Sequence, residues 1–263
     1  MEALMKMLKD PNNKQSSLEK IASIQQLMAQ QFPFENIDVL LQNETLITES
    51  FLRKKLLEEK RGGLCYELNG LLYLLLKELG LNAQLSAATM RVDDQWGLDR
   101  THAIVLYEEN DILYLLDSGS GNNLPLQPLA LDGPEVKTPS GTYRLRTKKT
   151  ERGSIICEYL TENGWALRFA FDPKEIPWDE LNRMKKLIHT DEKSPFNRTL
   201  LIAQSLSDGT ISLTEERFRR RWTNGKETET KQLETVDEIQ RLIHQHFSPS
   251  IQKAARQYFK LQK

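Results

Sequence analysis

Cys65 is the residue of this chain best placed to act as a nucleophile. It lies in the stretch Arg61-Gly62-Gly63-Leu64-Cys65-Tyr66-Glu67-Leu68-Asn69, directly before a leucine-rich segment with helical spacing. A thiol at the start of a helix meets unpaired backbone N–H groups and the positive end of the helix dipole, and both favour the thiolate. The sequence therefore makes Cys65 a candidate nucleophile, with a small buried core residue as the alternative.

A base and an orienting carboxylate are available on two predicted neighbouring strands. His102 opens the strand predicted over 101–108, and Asp117 closes the strand predicted over 112–117. In an antiparallel hairpin the start of one strand lies beside the end of the other, so we expect the two side chains to meet. The alternatives are a half-buried strand histidine bonded to backbone and an aspartate that caps a turn.

The remaining histidines offer weaker candidates for a base. His189 ends a predicted helix, where a cation complements the dipole, and His244 and His246 lie on a late amphipathic helix. Cys65, His102 and Asp117 together would form a thiol triad suited to acyl transfer through a thioester, with ping-pong kinetics. Whether water or an amine then takes the acyl group depends on how well the pocket excludes water.

A glycine-rich loop, Ser118-Gly119-Ser120-Gly121-Asn122-Asn123, follows Asp117. Backbone amides in such a loop can cradle a phosphate or pyrophosphate. The loop has no lysine and no following helix, so it is not a P-loop, and a plain turn is the alternative.

Three regions must position these residues, and they predict an α+β fold. Residues 1–81 read as a helical bundle that carries the nucleophile, with a capping box at Ser16–Glu19 and a buried helix from Tyr66 to Leu79, closed by Gly80. From 82 to 190 the apolar period changes to 2 and predicts a small antiparallel β-barrel or sandwich that carries the histidine and the aspartate, followed by a helix over 177–189. Residues 191–263 mix strands and helices, with hairpin turns predicted at Asp208-Gly209 and at Asn224-Gly225.

The composition excludes several classes of protein. The 263 residues carry a formal net charge of −1, so no overall field recruits nucleic acid or an anionic membrane. The longest apolar run, Leu71–Leu76, is too short to span a bilayer, and the first residues lack the apolar core of a secretory signal. The two cysteines, Cys65 and Cys157, do not look paired, which favours reduced thiols and a cytoplasmic location.

The motifs resemble those of the arylamine N-acetyltransferases of bacterial type. The pattern Arg-Gly-Gly-x-Cys-x-Glu-x-Asn stands intact at 61–69, with Pro-Phe-Glu-Asn at 33–36, Thr-His-Ala at 101–103 and Ser-Pro-Phe at 194–196. The resemblance runs from about residue 20 to residue 215. It implies three subdomains, a helical bundle, a β-barrel and an α/β lid, around a cysteine-protease-like Cys-His-Asp core.

The resemblance also implies the activity and the roles of single residues. Acetyl-CoA is the expected co-substrate, arylamines or arylhydrazines are the expected acceptors, no metal is expected, and the protein is expected to be a monomer or weak homodimer that serves xenobiotic metabolism. Cys65 is the expected nucleophile, His102 the base and Asp117 the residue that orients it. The expected contacts to CoA are Thr101, Gly119, Ser120 and Gly121.

The loop after Asp117 departs from the family pattern. Members of the family usually continue with Val-Gly-Phe-Gly-Gly, whereas this chain has Ser118-Gly119-Ser120-Gly121-Asn122. A serine in place of the aromatic predicts a smaller, wetter pocket with weak or shifted arylamine selectivity. Three alternatives stay open: an amide synthase, a thiol hydrolase with another acyl donor, and a non-catalytic CoA-binding paralogue.

Overall fold

Helices fill the first region of the chain, whose computed structural model describes residues 1–223, 226 and 228–262. They are α1 (Glu2–Lys9), α2 (Ser17–Gln31), α3 (Ile37–Leu40), α4 (Glu49–Leu52), a π-helix (Arg53–Glu58) and α5 (Cys65–Glu78), with a two-residue strand, β1 (Phe34–Glu35), between α2 and α3. The capping box at Ser16 and Glu19 forms as predicted, whereas α1 was not predicted.

The leucine-rich helix α5 is the centre of this region. Its leucines 68, 71, 72, 75 and 76 are all at most 2% exposed, as the helical spacing predicts. The helix ends beside Gly80, whose φ of +74° is the left-handed conformation that glycine adopts at least cost. Helices α1 and α2 contribute Met5, Leu8, Ile21, Ile24 and Met28 to the same core.

A second region forms an antiparallel sheet that curls into a nearly closed barrel. Its strands are β2 (Ala83–Val92), β3 (Gln95–Trp96), β4 (His102–Glu109), β5 (Ile112–Leu116), β6 (Leu129–Ala130), β7 (Val136–Thr138), β8 (Gly141–Thr150), β9 (Gly153–Thr161) and β10 (Gly164–Phe171). The strand order is β6-β5-β4-β2-β10-β9-β8-β7, and β3 pairs with β2. A bridge between Leu131 and Leu145 links the ends of the sheet. The predicted α+β fold with an antiparallel barrel is confirmed.

The helix after the barrel returns to the helical region. This helix, α6 (Asp179–Thr190), lies within the range predicted for the barrel subdomain. Its buried residues Leu181, Met184 and Ile188 nevertheless belong to the core built around α5.

The C-terminal region is a five-stranded sheet covered by two helices. Its elements are β11 (Leu201–Leu206), β12 (Gly209–Thr214), β13 (Arg217–Trp222), β14 (Glu229–Gln232), α7 (Val236–His246) and α8 (Pro249–Leu261). The sheet order is β1-β11-β12-β13-β14, so strand β1 of the first region forms its edge. The turn predicted at Asn224-Gly225 lies outside the described residues. Across the described ranges, no helix is both long and apolar enough to cross a membrane.

Candidate active site

Cys65 is the first residue of α5 and lies beneath the surface, 5% exposed. Its Sγ donates to the backbone oxygen of Thr101 at 3.5 Å, and Cys65 lies near enough to His102 to help raise the pKa of that ring. The turn before it is tight: a Cβ on Gly62 would lie 1.9 Å from the backbone oxygen of Pro33. Only glycine fits at position 62, which explains the first of the two glycines that precede Cys65 in the sequence.

His102 and Asp117 meet across the β4–β5 hairpin, as the sequence predicts. Val105 pairs with Leu116, and the Nε2 atom of His102 lies 3.0 Å from Oδ2 of Asp117. Burial by itself would lower the pKa of His102, but the charge and hydrogen bond of Asp117 outweigh it and raise the pKa to about 10. The imidazolium is therefore the stable form of this ring at neutral pH.

The Asp117 carboxylate accepts four hydrogen bonds. Oδ1 accepts from Nδ2 of Asn69 at 2.9 Å and from the backbone N–H of Gly119 at 2.8 Å, and Oδ2 accepts from His102 and from the Ser120 hydroxyl. Burial opposes the ionised form of Asp117, but the charge and hydrogen bond of His102, the charge of Arg168 and the hydrogen bond of Asn69 hold its pKa well below the usual range. The carboxylate is thus charged and fixed in one orientation.

Asn69 ties the nucleophile helix to the strand and loop that carry the other two groups. Besides its bond to Asp117, Nδ2 donates to the backbone oxygen of Ala103 at 2.7 Å, and Oδ1 accepts from the backbone N–H of Ser118 at 2.8 Å. All three contacts are buried, so the separation between Cys65 and the hairpin is fixed by a side chain one turn into α5.

A buried chain of alternating charges supports the turn that precedes Cys65. Arg61 donates to Glu35 and Asp38, with Nη2 distances of 2.7 and 2.9 Å, and Lys55 Nζ lies 2.8 Å from Asp38 and 2.6 Å from Glu67. The free oxygen of Glu67 accepts from the backbone N–H of Leu64 at 3.0 Å. This series of alternating charges therefore ends at Leu64, the residue directly before the nucleophile.

These charges change one another's ionisation. Burial raises the pKa of Glu67, while Lys55 opposes that effect. Burial would likewise raise the pKa of Asp38, but Lys55 and Arg61 hold it well below its usual range. From the motif residues, the sequence predicts a buried charge network of Arg61, Glu35 and Glu67, with ordinary surface pairing as the alternative; it gives no signal for the two further members, Lys55 and Asp38.

The loop after Asp117 places Ser120 against the triad. Its Oγ lies 3.2 Å from Nε2 of His102 and is also hydrogen bonded to Oδ2 of Asp117. Arg168, on β10, is 7% exposed and donates to the backbone oxygens of Ser120, at 3.1 Å, and Asn123. The side chain of Ser120, expected among the CoA contacts, is thus already engaged by His102 and Asp117.

A cavity of about 350 Å³ opens beside Cys65 and His102. Thr101, Gly119, Ser120 and Gly121, the four expected CoA contacts, all line it. Its apolar wall includes Phe34 and Phe196, whose rings meet edge to face with centroids 5.6 Å apart. Aromatic surface therefore remains in the pocket although position 120 is a serine.

The motifs at 33–36 and 194–196 meet through Asn36. Its Nδ2 donates to the backbone oxygens of Phe196 and Thr199, both at 2.8 Å, and its Oδ1 accepts from the N–H of Leu201 at 2.7 Å. This amide fixes the backbone on which Phe34 and Phe196 are held at the cavity.

The surroundings of His189 and Cys157 differ from those of the triad residues. The Nε2 atom of His189 lies 3.3 Å from the hydroxyl of Tyr66, and burial, with Lys185 nearby, lowers the pKa of His189 to about 4. The expectation that His189 acts as a cation at a helix end is therefore wrong. Burial raises the pKa of Cys157 to about 12. No cluster of three His, Cys, Asp or Glu side chains suited to a metal occurs in the part of the chain that the structure describes.

Fold and site together define an enzyme that carries a buried cysteine, histidine and carboxylate between a helical core and a barrel. A family model described as N-acetyltransferase matches residues 17–256. The chain belongs to the arylamine N-acetyltransferase family and is an acyltransferase. The predicted family is confirmed.

Individual relatives agree with this assignment. The chain is 40% identical over 193 residues to the uncharacterized acetyltransferase YvcN of Bacillus subtilis, covering 73% of this chain and 76% of that protein. It is 31% identical over 219 residues to an arylamine N-acetyltransferase / N-hydroxyarylamine O-acetyltransferase of Salmonella typhimurium, covering 82% of this chain and 76% of the relative.

A solved structure shares the whole fold. An arylamine N-acetyltransferase of Bacillus cereus superposes with a TM-score of 0.84 at 33% identity, covering 94% of this chain and 96% of the other. Its crystal structure is described as revealing a unique Cys-His-Glu catalytic triad. In the present chain the carboxylate beside the imidazole is that of Asp117.

Proposed function

We propose that this protein transfers the acetyl group of acetyl-CoA to arylamines or arylhydrazines through an acetyl-cysteine formed at Cys65. The observation that carries the proposal is the position of the Cys65 thiol at the wall of a cavity that it shares with His102, the imidazole that Asp117 holds. Membership of the acetyltransferase family supports the acetyl donor and the class of acceptor.

The first half-reaction acylates the cysteine. An imidazolium beside a cysteine stabilises the thiolate, which is the nucleophilic form of a thiol, and the raised pKa of His102 favours the imidazolium. The sulfur attacks the acetyl carbonyl of acetyl-CoA, the thioester bond to CoA breaks, and the departing CoA sulfur takes the proton of the imidazolium. Cys65 then carries the acetyl group, and His102 is neutral.

The second half-reaction transfers the acetyl group to the amine. The amine nitrogen attacks the acetyl-cysteine, neutral His102 accepts the proton that the nitrogen loses, and the Cys65 thiolate leaves. Arylamines suit this step because their nitrogen is unprotonated at neutral pH. CoA leaves before the amine reacts with the acetyl-cysteine, which is the basis of the ping-pong order.

The glycine loop supplies backbone donors for the CoA pyrophosphate. The N–H of Gly119 is occupied by Asp117, whereas the amides of Ser120 and Gly121 have no protein acceptor among the described residues. We assign these two amides, with Thr101 beside them, to the CoA end of the cavity. Use of acetyl-CoA and two reduced, buried cysteines fit a cytoplasmic enzyme.

Mass spectrometry of the intact protein tests the proposal. Incubation with acetyl-CoA should give one acetyl adduct, which is absent in Cys65→Ala, retained in Cys157→Ala, and discharged when an arylamine is added. Discharge by water alone would indicate a hydrolase. Absence of an adduct on the wild-type protein would contradict acetyl transfer through Cys65 and favour a CoA-binding paralogue.

A further inference from the structure

We propose that Ser120 is a positioning residue of this site, whose hydroxyl fixes the ring of His102 so that its Nδ1 atom faces Cys65. The inference rests on the proposed thiol chemistry and adds to it a fourth side chain. It reverses the expectation that a serine at this position serves only as a small, wet piece of pocket wall or as a CoA contact.

The direction of each hydrogen bond follows from the groups involved. An ionised carboxylate only accepts, so the single hydroxyl hydrogen of Ser120 is donated to Oδ2 of Asp117. The Ser120 oxygen, 3.2 Å from Nε2 of His102, is then left to accept from that nitrogen. The proton on Nε2 is therefore shared between Oδ2 of Asp117 and the oxygen of Ser120.

This arrangement selects the useful tautomer. With a proton fixed at Nε2, the neutral ring carries its lone pair on Nδ1, the nitrogen left for the Cys65 thiol. Two acceptors in the segment after β5, the Asp117 carboxylate and the Ser120 hydroxyl, also resist rotation of the ring about its Cβ–Cγ bond. Phe169 packs against the ring with centroids 5.2 Å apart.

Ser120 is itself held in place by a buried cation. Arg168 bonds to its backbone oxygen and to that of Asn123. Arg168 also lies over the ring of Tyr143, with Cζ 5.7 Å from the ring centroid, and its charge helps to lower the pKa of Asp117. The barrel strand β10 thereby fixes the loop that brings the hydroxyl to His102.

The rate of alkylation of Cys65 by iodoacetamide tests this role without either substrate. At about pH 6 an unassisted thiol is almost wholly protonated, so the alkylation rate measures how far its surroundings assist the nucleophile. We expect Ser120→Ala to lower this rate about tenfold, the order expected for a hydrogen bond to a charged group. At about pH 10 the thiol ionises without help, and the two rates should agree within about twofold.

Two further variants separate positioning from loop structure. Ser118→Ala removes a neighbouring buried hydroxyl that has no hydrogen-bond partner among the described residues, and it should leave both rates within about twofold of wild type. Ser120→Thr keeps a hydroxyl and should restore the rate at low pH to within about threefold. Alkylated peptides identify Cys65 rather than Cys157 as the modified residue.

Two results would overturn the inference in different ways. If wild-type Cys65 is reactive at low pH and Ser120→Ala is alkylated at the same rate, the role of Ser120 is contradicted while the proposed nucleophile stands. The same conclusion follows if Ser118→Ala lowers the alkylation rate as much as Ser120→Ala does. A wild-type Cys65 no more reactive at low pH than a free thiol would contradict the proposed nucleophile and, with it, the role of Ser120.

Discussion

Gly119 lies directly against Cys65. A Cβ at position 119 would be 2.6 Å from the Cα of Cys65 and 2.9 Å from its Cβ. Because real Cβ atoms do not approach so closely, the loop after Asp117 reaches the nucleophile only through a residue without a side chain. This contact brings the carboxylate, the serine and the thiol within one site.

Gly119→Ala should therefore displace the loop from the nucleophile helix. We expect the unfolding free energy to fall by about 1–3 kcal/mol, as for overpacked cores, and kcat/KM to fall at least about 100-fold, because a misplacement of about 1 Å has this effect on catalysis. Steady-state kinetics and urea unfolding measure the two. Gly97→Ala is the control, since a Cβ there meets nothing closer than 3.5 Å; equal losses in both variants would refute the argument.

Lys55→Met should destabilise the protein more than removal of an exposed cation. Lys55 is 4% exposed and bonds to Asp38 and Glu67, so its loss leaves two buried carboxylates with one fewer cation. Breaking a buried ion pair from one side costs about 3–5 kcal/mol. The matched control is Lys9→Met, because the Lys9 side chain is 47% exposed and its partner Glu78 keeps its ion pair with Arg53, so the expected cost is about 0–1 kcal/mol. Urea unfolding measures the unfolding free energy of both variants. Similar losses would contradict a structural role for the buried series of alternating charges.

Stability should depend on pH through His102. Its folded pKa is raised from 6.5 to about 10, so the stabilisation is complete below 6.5 and is lost as the pH rises through about 10. The unfolding free energy of the wild type should therefore fall relative to that of His102→Gln across this window. The exposed His244 provides the control, because His244→Gln should follow the wild-type curve. Parallel curves for wild type and His102→Gln would contradict the assigned ionisation.

Ser120→Phe should change which acceptors are preferred. The variant restores an aromatic wall but removes the hydroxyl, so it must be compared with Ser120→Ala rather than with the wild type alone. Relative to Ser120→Ala, we expect the ratio of kcat/KM for bulky arylamines over small hydrazines to rise about two- to tenfold, the range of an aromatic pair. A panel of amines with acetyl-CoA measures this ratio, and an unchanged ratio would show that position 120 does not contact the acceptor.

Local patterns in the sequence predicted much of the fold and the central pairing of the site. Helical spacing predicted the helix that begins at Cys65, and alternation predicted the β4–β5 hairpin that brings His102 to Asp117. Both depend on residues close in sequence, where period and turn chemistry are informative. The family motifs added the expectation of a barrel and of the acyltransferase class.

Contacts between distant segments could not be predicted in this way. Arg168 reaches Ser120 across 48 residues, and no local pattern indicates that a strand arginine will bind two loop carbonyls. Lys55 lies in a π-helix, whose wider turn changes the face on which a residue points, so α-helical spacing gives the wrong direction for it. Ser120 was predicted only to line a pocket. Its hydrogen bonds to His102 and Asp117 depend on how the loop folds back, which no local pattern in the sequence indicates.

The pairing of β1 with the C-terminal sheet has a consequence for folding during synthesis. Phe34 pairs with Ala203 on one side and forms a bridge with Gly63, two residues before the nucleophile, on the other. Contacts of such sequence separation form late, because a long loop must close before they stabilise the chain. We therefore expect a nascent chain that ends before β11 to carry Cys65 at the start of a helix, while the turn before Cys65 is not yet in its final conformation. The enzyme would become reactive only when nearly all of its chain has left the ribosome.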